Sequence, residues 1–354
     1  MAGQTRPAAP IYLVVMAGGS GTRFWPRSTA RRPKQLLAFG PEQQTLLART
    51  LARFDGLVPD DGRIVVTTEA LSGAIAREAP AVTVLAEPQG RNTAPCIYWA
   101  ARVVAARDPE AVMLVMSADH FVADVAAFRG TVLQAIERAR AFDELVTLGV
   151  KPTRPETGYG YLRLGEALGH GCFRVEEFVE KPPRERAETY VRAGTHLWNS
   201  GMFAWRASVV LAAFDRCMPD MGTRWEEAAG DVATLYRSVP ATSIDYGVME
   251  KAGNVVTFPL DCGWEDVGSW ASLDTLADAL DARRPGGTVL AGDVLAVQSE
   301  RNVVDVPGKL VALLGVNDLI VVEQDGALLV ASKDRAQDVR LVVDEVKKRR
   351  PELA

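Results

Sequence analysis

Short β-branched runs alternate with helix-length stretches through the first 150 residues, and this alternation restricts the fold more than any other feature of the sequence. The runs are 11–17 (IYLVVMA), 63–68 (RIVVTT), 82–86 (VTVLA), 111–117 (AVMLVMS) and 145–150 (LVTLGV). Near-continuous apolar runs of this length suit strands buried on both faces of a parallel sheet. Between them, 44–54, 71–78, 93–107 and 128–142 have helical length. The rhythm predicts an α/β fold, an open Rossmann-like sheet with helices on both sides. Ligands of such sheets bind beyond the carboxyl ends of the strands, so the loops after Ala17, Ala86 and Ser117 are where chemistry is expected.

From about 158 to 259 the pattern becomes mixed. Residues 159–164, 173–179 and 202–205 read as strands and 184–193 as a helix, so the sheet is expected to be mixed, mostly parallel. Residues 269–280 read as an amphipathic helix. A break follows at Arg283-Arg284-Pro285-Gly286-Gly287, after which short β-rich runs are separated by Gly, Asp and Asn, the mark of a small all-β unit. Val339, Val342, Val343 and Val346 place one apolar stripe on a terminal helix. Its basic end, Lys347 to Arg350, suits a helix C-terminus. The expected organisation is a disordered lead-in over 1–10 running into a buried first strand rather than a cleaved leader, with one domain over 11–285 and a second over 286–354.

Composition excludes some classes. Forty Lys and Arg against 45 Asp and Glu leave a formal charge of −5, which disfavours a purely electrostatic nucleic-acid binder. No apolar run approaches the roughly 20 residues of a membrane-spanning helix. Cys96, Cys172, Cys217 and Cys262 form no CxxC pair and read as reduced thiols of a cytoplasmic protein. His120, His170 and His196 make no zinc-ligand spacing with them.

Against this acidic background, residues 18–35 carry five cations (Arg23, Arg27, Arg31, Arg32, Lys34) and no acid. The segment leaves a buried strand through Gly18, Gly19 and Gly21, which let backbone N–H groups approach an anion. A polyphosphate site is the consequence: arginine offers a planar fork and lysine a point charge. Two commoner phosphate motifs fail, since GxxxxGK[ST] is absent and GxGxxG meets Phe24 where its last glycine belongs.

The segment GGSGTRFWPRS…RPKQ resembles the signature of sugar-1-phosphate nucleotidyltransferases, in particular mannose-1-phosphate guanylyltransferases (GDP-mannose pyrophosphorylases). Further matches follow in order: EPQGRNTAP (87–95), SADH (117–120), GYGY (158–161), FVEKP (178–182), WNSGMF (198–203), SIDYGVME (243–250) and GWEDVGSW (263–270). The β-rich terminus resembles the family's small left-handed β-helix-like domain, and the chain ends before the isomerase half of longer bifunctional relatives. Departures include Phe24 for leucine, Arg27-Ser28-Thr29 after the proline, and one extra residue in Ser117-Ala118-Asp119-His120.

The resemblance implies guanylyl transfer from GTP to mannose 1-phosphate, giving GDP-mannose and pyrophosphate. It implies that Arg23 holds the β- and γ-phosphates and that Lys34 bridges the α-phosphate and the sugar phosphate. The backbone of Gly18, Gly19, Ser20, Gly21 and Thr22 would cradle the nucleotide. Asp119 and Asp266 would ligate Mg²⁺, an ion that takes few carboxylates and completes its octahedron with phosphate and water. Guanine would lie near Ala17 and Gly18 and the loop Glu87, Pro88, Arg91, Asn92. Gly160, Glu180, Lys181 and Asn199 would bind the sugar phosphate. Trp25, Trp198, Trp264 and Trp270 read as packing elements. A homodimer formed through the β-rich unit is expected, because exposed strand edges need covering. The alternatives are a relative acting on another sugar 1-phosphate (heptose or glucose) and a catalytically silent regulatory homologue.

Overall fold

The computed structural model describes residues 9–19, 21–40 and 43–354. In chain order the strands are β1 (Ile11–Met16), β2 (Arg63–Thr68), β3 (Thr83–Glu87), β4 (Val112–Ser117), β5 (Phe121–Val122), β6 (Leu145–Val150), β7 (Gly160–Gly169), β8 (Cys172–Val179), β9 (His196–Arg206), β10 (Val255–Leu260), β11 (Trp264–Glu265), β12 (Arg283–Arg284), β13 (Gly287–Val297), β14 (Asn302–Leu314), β15 (Leu319–Gln324) and β16 (Ala327–Ser332). The helices are α1 (Leu46–Ala52), α2 (Glu69–Glu78), α3 (Thr93–Ala105), α4 (Val125–Ala141), α5 (Arg184–Ala193), α6 (Ala207–Cys217), α7 (Asp220–Ala228), α8 (Val232–Ser238) and α9 (Val339–Arg349).

The chain forms two compact units, and neither is continuous in sequence. The first takes Met1–Gly18, Arg53–Ser117 and Asp124–Cys262; the second takes Gly19–Ala52, Ala118–Ala123 and Gly263–Ala354. This partition does not follow the linear division at 285/286. Residues 1–8 of the expected lead-in, and Ser20, lie outside the described residues. Ala9 and Pro10 are held, their carbonyls accepting from Arg140 Nη2 at 3.0 Å and from the Val112 N–H at 2.9 Å.

Among the described residues, the first unit is built on a nine-stranded sheet in the order β3-β2-β1-β4-β9-β6-β10-β8-β7. β1 to β4 are parallel, as are β6 and β10, while β9 and β8 run against their neighbours, so the sheet is mixed. The long β9 also pairs with β7, which brings Asn199 opposite Gly160. The apolar alternation explains the core. Leu13, Val14, Val15, Leu114 and Val115 are fully buried in the sheet centre, and Tyr98 of α3 packs edge-on to Phe214 of α6 at 5.1 Å. Helix starts follow capping chemistry: the Asp124 carboxylate accepts from the Ala127 N–H, and Asp231 from the N–H groups of Ala233 and Thr234.

The second unit has a core of its own. Phe24 lies 5.2 Å from Trp270 and 5.6 Å from Phe39, ring to ring, and this aromatic cluster continues through Leu273, Val303 and Ile320 to Val339 and Val343. Trp25 Nε1 donates to the Leu353 carbonyl at 2.7 Å, and Trp270 Nε1 to the Trp25 carbonyl at 3.1 Å. These contacts tie residues 19–52 to the C-terminal segment. β13, β14 and β15 stack in parallel, and β16 closes the sheet antiparallel to β15.

Two local expectations change, and two stretches that the sequence left unread turn out to be ordered. Residues 269–280 do not form an α-helix: a 3₁₀ turn covers Trp270–Asp274 and hydrogen-bonded turns follow. Trp270, Leu273 and Leu276 are buried at a spacing of three, which suits three residues per turn. Val342 is exposed, so the terminal stripe narrows to Val339 and Val343 with Val346 at its edge. Strand β10 is hidden in the sequence by its internal Pro259, which is tolerated because the pairing with β8 covers Val256 and Thr257 alone and so needs no N–H from residue 259. The short helices α6 to α8 also carry no clear sequence signal, being broken at Pro219 and Gly230.

Candidate functional site

The residues singled out by sequence fall into three clusters, one in the second unit and two in the first. The cluster in the second unit is made by the smallest sheet of the fold. β5 and β11 pair antiparallel, with Phe121 opposite Glu265. Asp119 and His120 lead into β5, and Asp266 follows β11, so the two segments approach at this end of the ladder. Trp264 Nε1 lies 3.3 Å from His120 Nδ1 and fixes this end of the ladder.

Lys34 joins the two aspartate segments. Its ammonium is 3.0 Å from Asp119 Oδ2 and donates to the Asp266 main-chain carbonyl at 2.6 Å. The lysine is buried at 7% exposure. Burial alone pushes the Asp119 carboxyl up, but the Lys34 cation, His120 and hydrogen bonds bring it below the usual carboxylate range. Asp119 is thus an anion across neutral pH. Asp266 precedes Val267, a fully buried β-branched residue at φ +52°, an uncommon and strained conformation. This sharp turn presents the Asp266 carbonyl to Lys34 and the Gly268 carbonyl to Arg23 Nη1, 3.4 Å away.

Gly21 has φ +62°, and a Cβ there would stand 2.3 Å from Lys34 Cβ and 2.8 Å from its backbone nitrogen. Only glycine lets the loop close over Lys34. Thr22 and Arg23 follow in a 3₁₀ turn with Arg23 exposed. Gly19 is also exposed. One cation of the basic segment serves another purpose. Arg27 donates to Asp305 Oδ2 at 2.8 Å, deep in this unit, with side-chain exposures of 13% and 2%. It is a structural strut.

A second cluster, in the first unit, surrounds Glu87 at the carboxyl end of β3. Glu87 is buried, and its pKa is pushed up to about 7 by desolvation, opposed by the Tyr236 hydroxyl, which donates to Oε1 at 3.0 Å. Ala17 is pinned by its N–H to the Val66 carbonyl, and its own carbonyl accepts from Thr67 Oγ1. Gly18 lies against Glu87 Oε2. Pro88 is half-buried. Arg91 Nε donates to the Tyr236 carbonyl at 2.9 Å, and the Asn92 side chain caps α3 through the Thr93 N–H. Both side chains hold the loop itself.

The third cluster, also in the first unit, gathers Gly160, Glu180, Lys181 and Asn199. Glu180 Oε2 would lie 2.6 Å from a Cβ on residue 160, so a side chain there would push the Glu180 carboxylate aside. Lys181 Nζ donates to Glu180 Oε1 at 2.6 Å. Asn199 Oδ1 accepts from Thr147 Oγ1, and Asn199 Nδ2 donates to Asp245 Oδ1 at 2.9 Å. Asp245 belongs with these residues; sequence reasoning misses it, although it sits inside SIDYGVME. Burial and the nearby Glu180 charge push its pKa up to about 7. Tyr236 is missed as well, because α8 carries no motif.

Among the described residues no group of three or more His, Cys, Asp or Glu could hold a metal, and no helix is long and apolar enough to cross a membrane. Cys96, Cys172, Cys217 and Cys262 are free thiols.

Comparison with known proteins identifies the family of the chain. The nucleotidyl transferase family matches residues 12–283, and the family described as a MannoseP isomerase/GMP-like beta-helix domain matches 292–346. A mannose-1-phosphate guanylyltransferase of Escherichia coli (strain K12) is 39% identical over 358 residues, covering 95% of this chain and 73% of that protein. Mannose-1-phosphate guanylyltransferase ManC of Salmonella typhimurium (strain LT2) is 38% identical with the same coverage, 95% and 73%. A crystal structure from Thermus thermophilus, named a mannose-1-phosphate geranyltransferase, superimposes with a TM-score of 0.88 at 36% identity, covering 95% of this chain and 99% of that one.

Proposed function

Because this chain belongs to the nucleotidyl transferase family, among its mannose-1-phosphate guanylyltransferases, we infer that its three clusters serve guanylyl transfer from GTP to mannose 1-phosphate. A sugar-phosphate oxygen forms a bond to the α-phosphorus while the bond from that phosphorus to the bridging oxygen breaks, and pyrophosphate leaves with the electron pair. GDP-mannose is the other product. No protein nucleophile is required, so the work is positioning two anions and neutralising charge.

The observation that carries this reading is Lys34, a buried ammonium held between the Asp119 carboxylate and the Asp266 carbonyl. Lys34 would neutralise the α-phosphate and the incoming sugar phosphate. Arg23 would hold the β- and γ-phosphates, with the backbone of Gly18, Gly19, Ser20, Gly21 and Thr22 around them. Ala17 and the loop Glu87, Pro88, Arg91, Asn92 would surround the base, with Arg91 and Asn92 acting by shaping the loop. Gly160, Glu180, Lys181 and Asn199, with Asp245 added, would take the sugar phosphate.

Asp119 and Asp266 fit a hard dication. Both offer oxygen, one is held ionised, and their segments meet at one end of the β5–β11 ladder. Mg²⁺ held there would draw charge from the phosphate oxygens. Two carboxylates leave its other positions to substrate and water.

Pyrophosphate release from GTP and mannose 1-phosphate with Mg²⁺, run beside glucose and heptose 1-phosphates, tests the reaction. No release with mannose 1-phosphate, or faster release with another sugar, overturns it. Asp266→Asn keeps the main-chain carbonyl that Lys34 uses, and is expected to raise the Mg²⁺ concentration for half-maximal rate about tenfold or more. An unchanged titration removes Asp266 from the ligand set.

The four free thiols and the phosphorylated substrates fit a cytoplasmic enzyme. A homodimer through the β-rich segment accords with Leu295, Val297, Leu310, Leu314, Leu328 and Val330, which stand exposed on β13, β14 and β16. Sedimentation should give twice the chain mass at micromolar concentration; a monomer there refutes this assembly.

A further inference from the structure

We propose that Tyr236 is the positioning residue for base selection, holding Glu87 as a two-oxygen acceptor for the adjacent N–H donors along one edge of guanine. The proposal rests on the reading of GTP as donor and adds a residue to it.

The geometry is specific. Tyr236 is fully buried on α8, and its hydroxyl donates to Glu87 Oε1 at 3.0 Å. Its main-chain carbonyl accepts from Gln89 Nε2 and from Arg91 Nε, each at 2.9 Å. One residue therefore grips the loop after β3 at three points, from almost 150 positions further along the chain. Its ring meets Trp99 of α3 edge-on at 6.0 Å, which limits its rotation. The other carboxylate oxygen, Oε2, lies 3.5 Å from where a Cβ on Gly18 would be. Gly18 is exposed and carries no side chain to cover that oxygen.

The chemistry selects the ligand. An ionised carboxylate only accepts, and each oxygen has two lone pairs, so Oε1 can serve Tyr236 and a ligand together. Guanine presents a ring N–H beside an exocyclic NH₂, two donors in a row. Adenine and cytosine pair one donor with one acceptor on the corresponding edge, and uracil flanks one donor with two acceptors. A fixed, ionised Glu87 therefore satisfies guanine and leaves an unpaired acceptor facing the other bases, which is costly in a dry site.

Burial pushes the Glu87 pKa up to about 7, and the Tyr236 hydrogen bond works against that rise. The other titratable groups facing it are few. On α3 the Cys96 thiol is pushed far up by burial and stays neutral; Arg91, on the loop itself, is turned to the Tyr236 carbonyl; on β2 the residue in register with Glu87 is Thr68, which carries no charge. The base-binding form of Glu87 is the anion, so KM for GTP should fall as pH rises through about 7.

Tyr236→Phe removes the hydroxyl and keeps the ring. With wild-type protein turning over GTP as the control, the variant is expected to raise KM for GTP about tenfold at neutral pH, the scale of one hydrogen bond to a charged group. The pH midpoint of that KM should move upward. The preference for GTP over ITP, which lacks the exocyclic amine, should narrow at least ~3-fold, the scale of a fraction of one hydrogen bond. KM for mannose 1-phosphate should not move. A folded variant with unchanged GTP/ITP ratio and unchanged midpoint overturns the proposal, since a packing role alone would lower stability and leave both readouts in place. If Tyr236→Phe does not fold, Glu87→Gln replaces it: an amide cannot titrate, so the pH dependence of KM for GTP should vanish, and its persistence overturns the proposal. A wild-type protein that ignores GTP defeats the donor assignment itself, a result separate from any of these.

Discussion

Lys34→Ala is expected to lower kcat/KM by at least ~100-fold, or about 2.7 kcal/mol of transition-state stabilisation. The ammonium is buried and fixed by two acceptors, so its charge would act on a bound phosphate without the screening of bulk water. The loss should fall on kcat as well as on KM, because charge builds on the leaving pyrophosphate only as the bond breaks. Removing the cation also leaves Asp119 without its nearest counter-charge, so the Mg²⁺ dependence should change together with the rate. Steady-state kinetics with both substrates varied checks this. Turnover near the wild-type value would remove Lys34 from the chemistry.

The second large effect is on stability. Arg27→Ala strands the Asp305 carboxylate, which is 2% exposed. Removing one partner of a buried ion pair costs about 3–5 kcal/mol. Burial already pushes the Asp305 pKa up, against the pull of Arg27. A stranded Asp305 can therefore take a proton instead of remaining a bare charge, which places the expected loss near the low end, about 3 kcal/mol. Denaturant unfolding measures it, and a change below about 1 kcal/mol, the worth of an exposed pair, contradicts the strut role. Replacing both partners with apolar residues of similar volume should recover most of the loss.

These two residues lie seven positions apart in the same basic segment and show how far the sequence can be read. Excess positive charge beside glycines marks the segment as a candidate phosphate loop. It does not tell which cations face a ligand. Arg27 turns inward because Asp305, on a strand of the β-rich region, waits there with no solvent; charge counting has no access to that pairing. The aspartates are nameable from SADH and GWEDVGSW, whereas β5 and β11 are two residues each, too short for any periodicity to announce. Yet that ladder brings the two segments to one ammonium.

The buried strands β1, β2, β4 and β6 are legible because a strand covered on both faces must be apolar at every position. Helices α6 to α8 and strand β10 are not, since their boundaries depend on what they pack against. Tyr236 and Asp245 belong to the same class. Each acts through a partner distant in sequence, Glu87 for one and Asn199 for the other.

What the sequence determined by itself was the class of fold, the family and the identity of the chemical groups, because burial pattern and functional motif are both written locally along the chain. What only the tertiary structure decided was which groups meet: Lys34 with Asp119, Arg27 with Asp305, Tyr236 with Glu87. The physical reason is that a charge or a hydrogen bond takes its strength from the partner and dielectric around it, and both are supplied by chain far away in sequence.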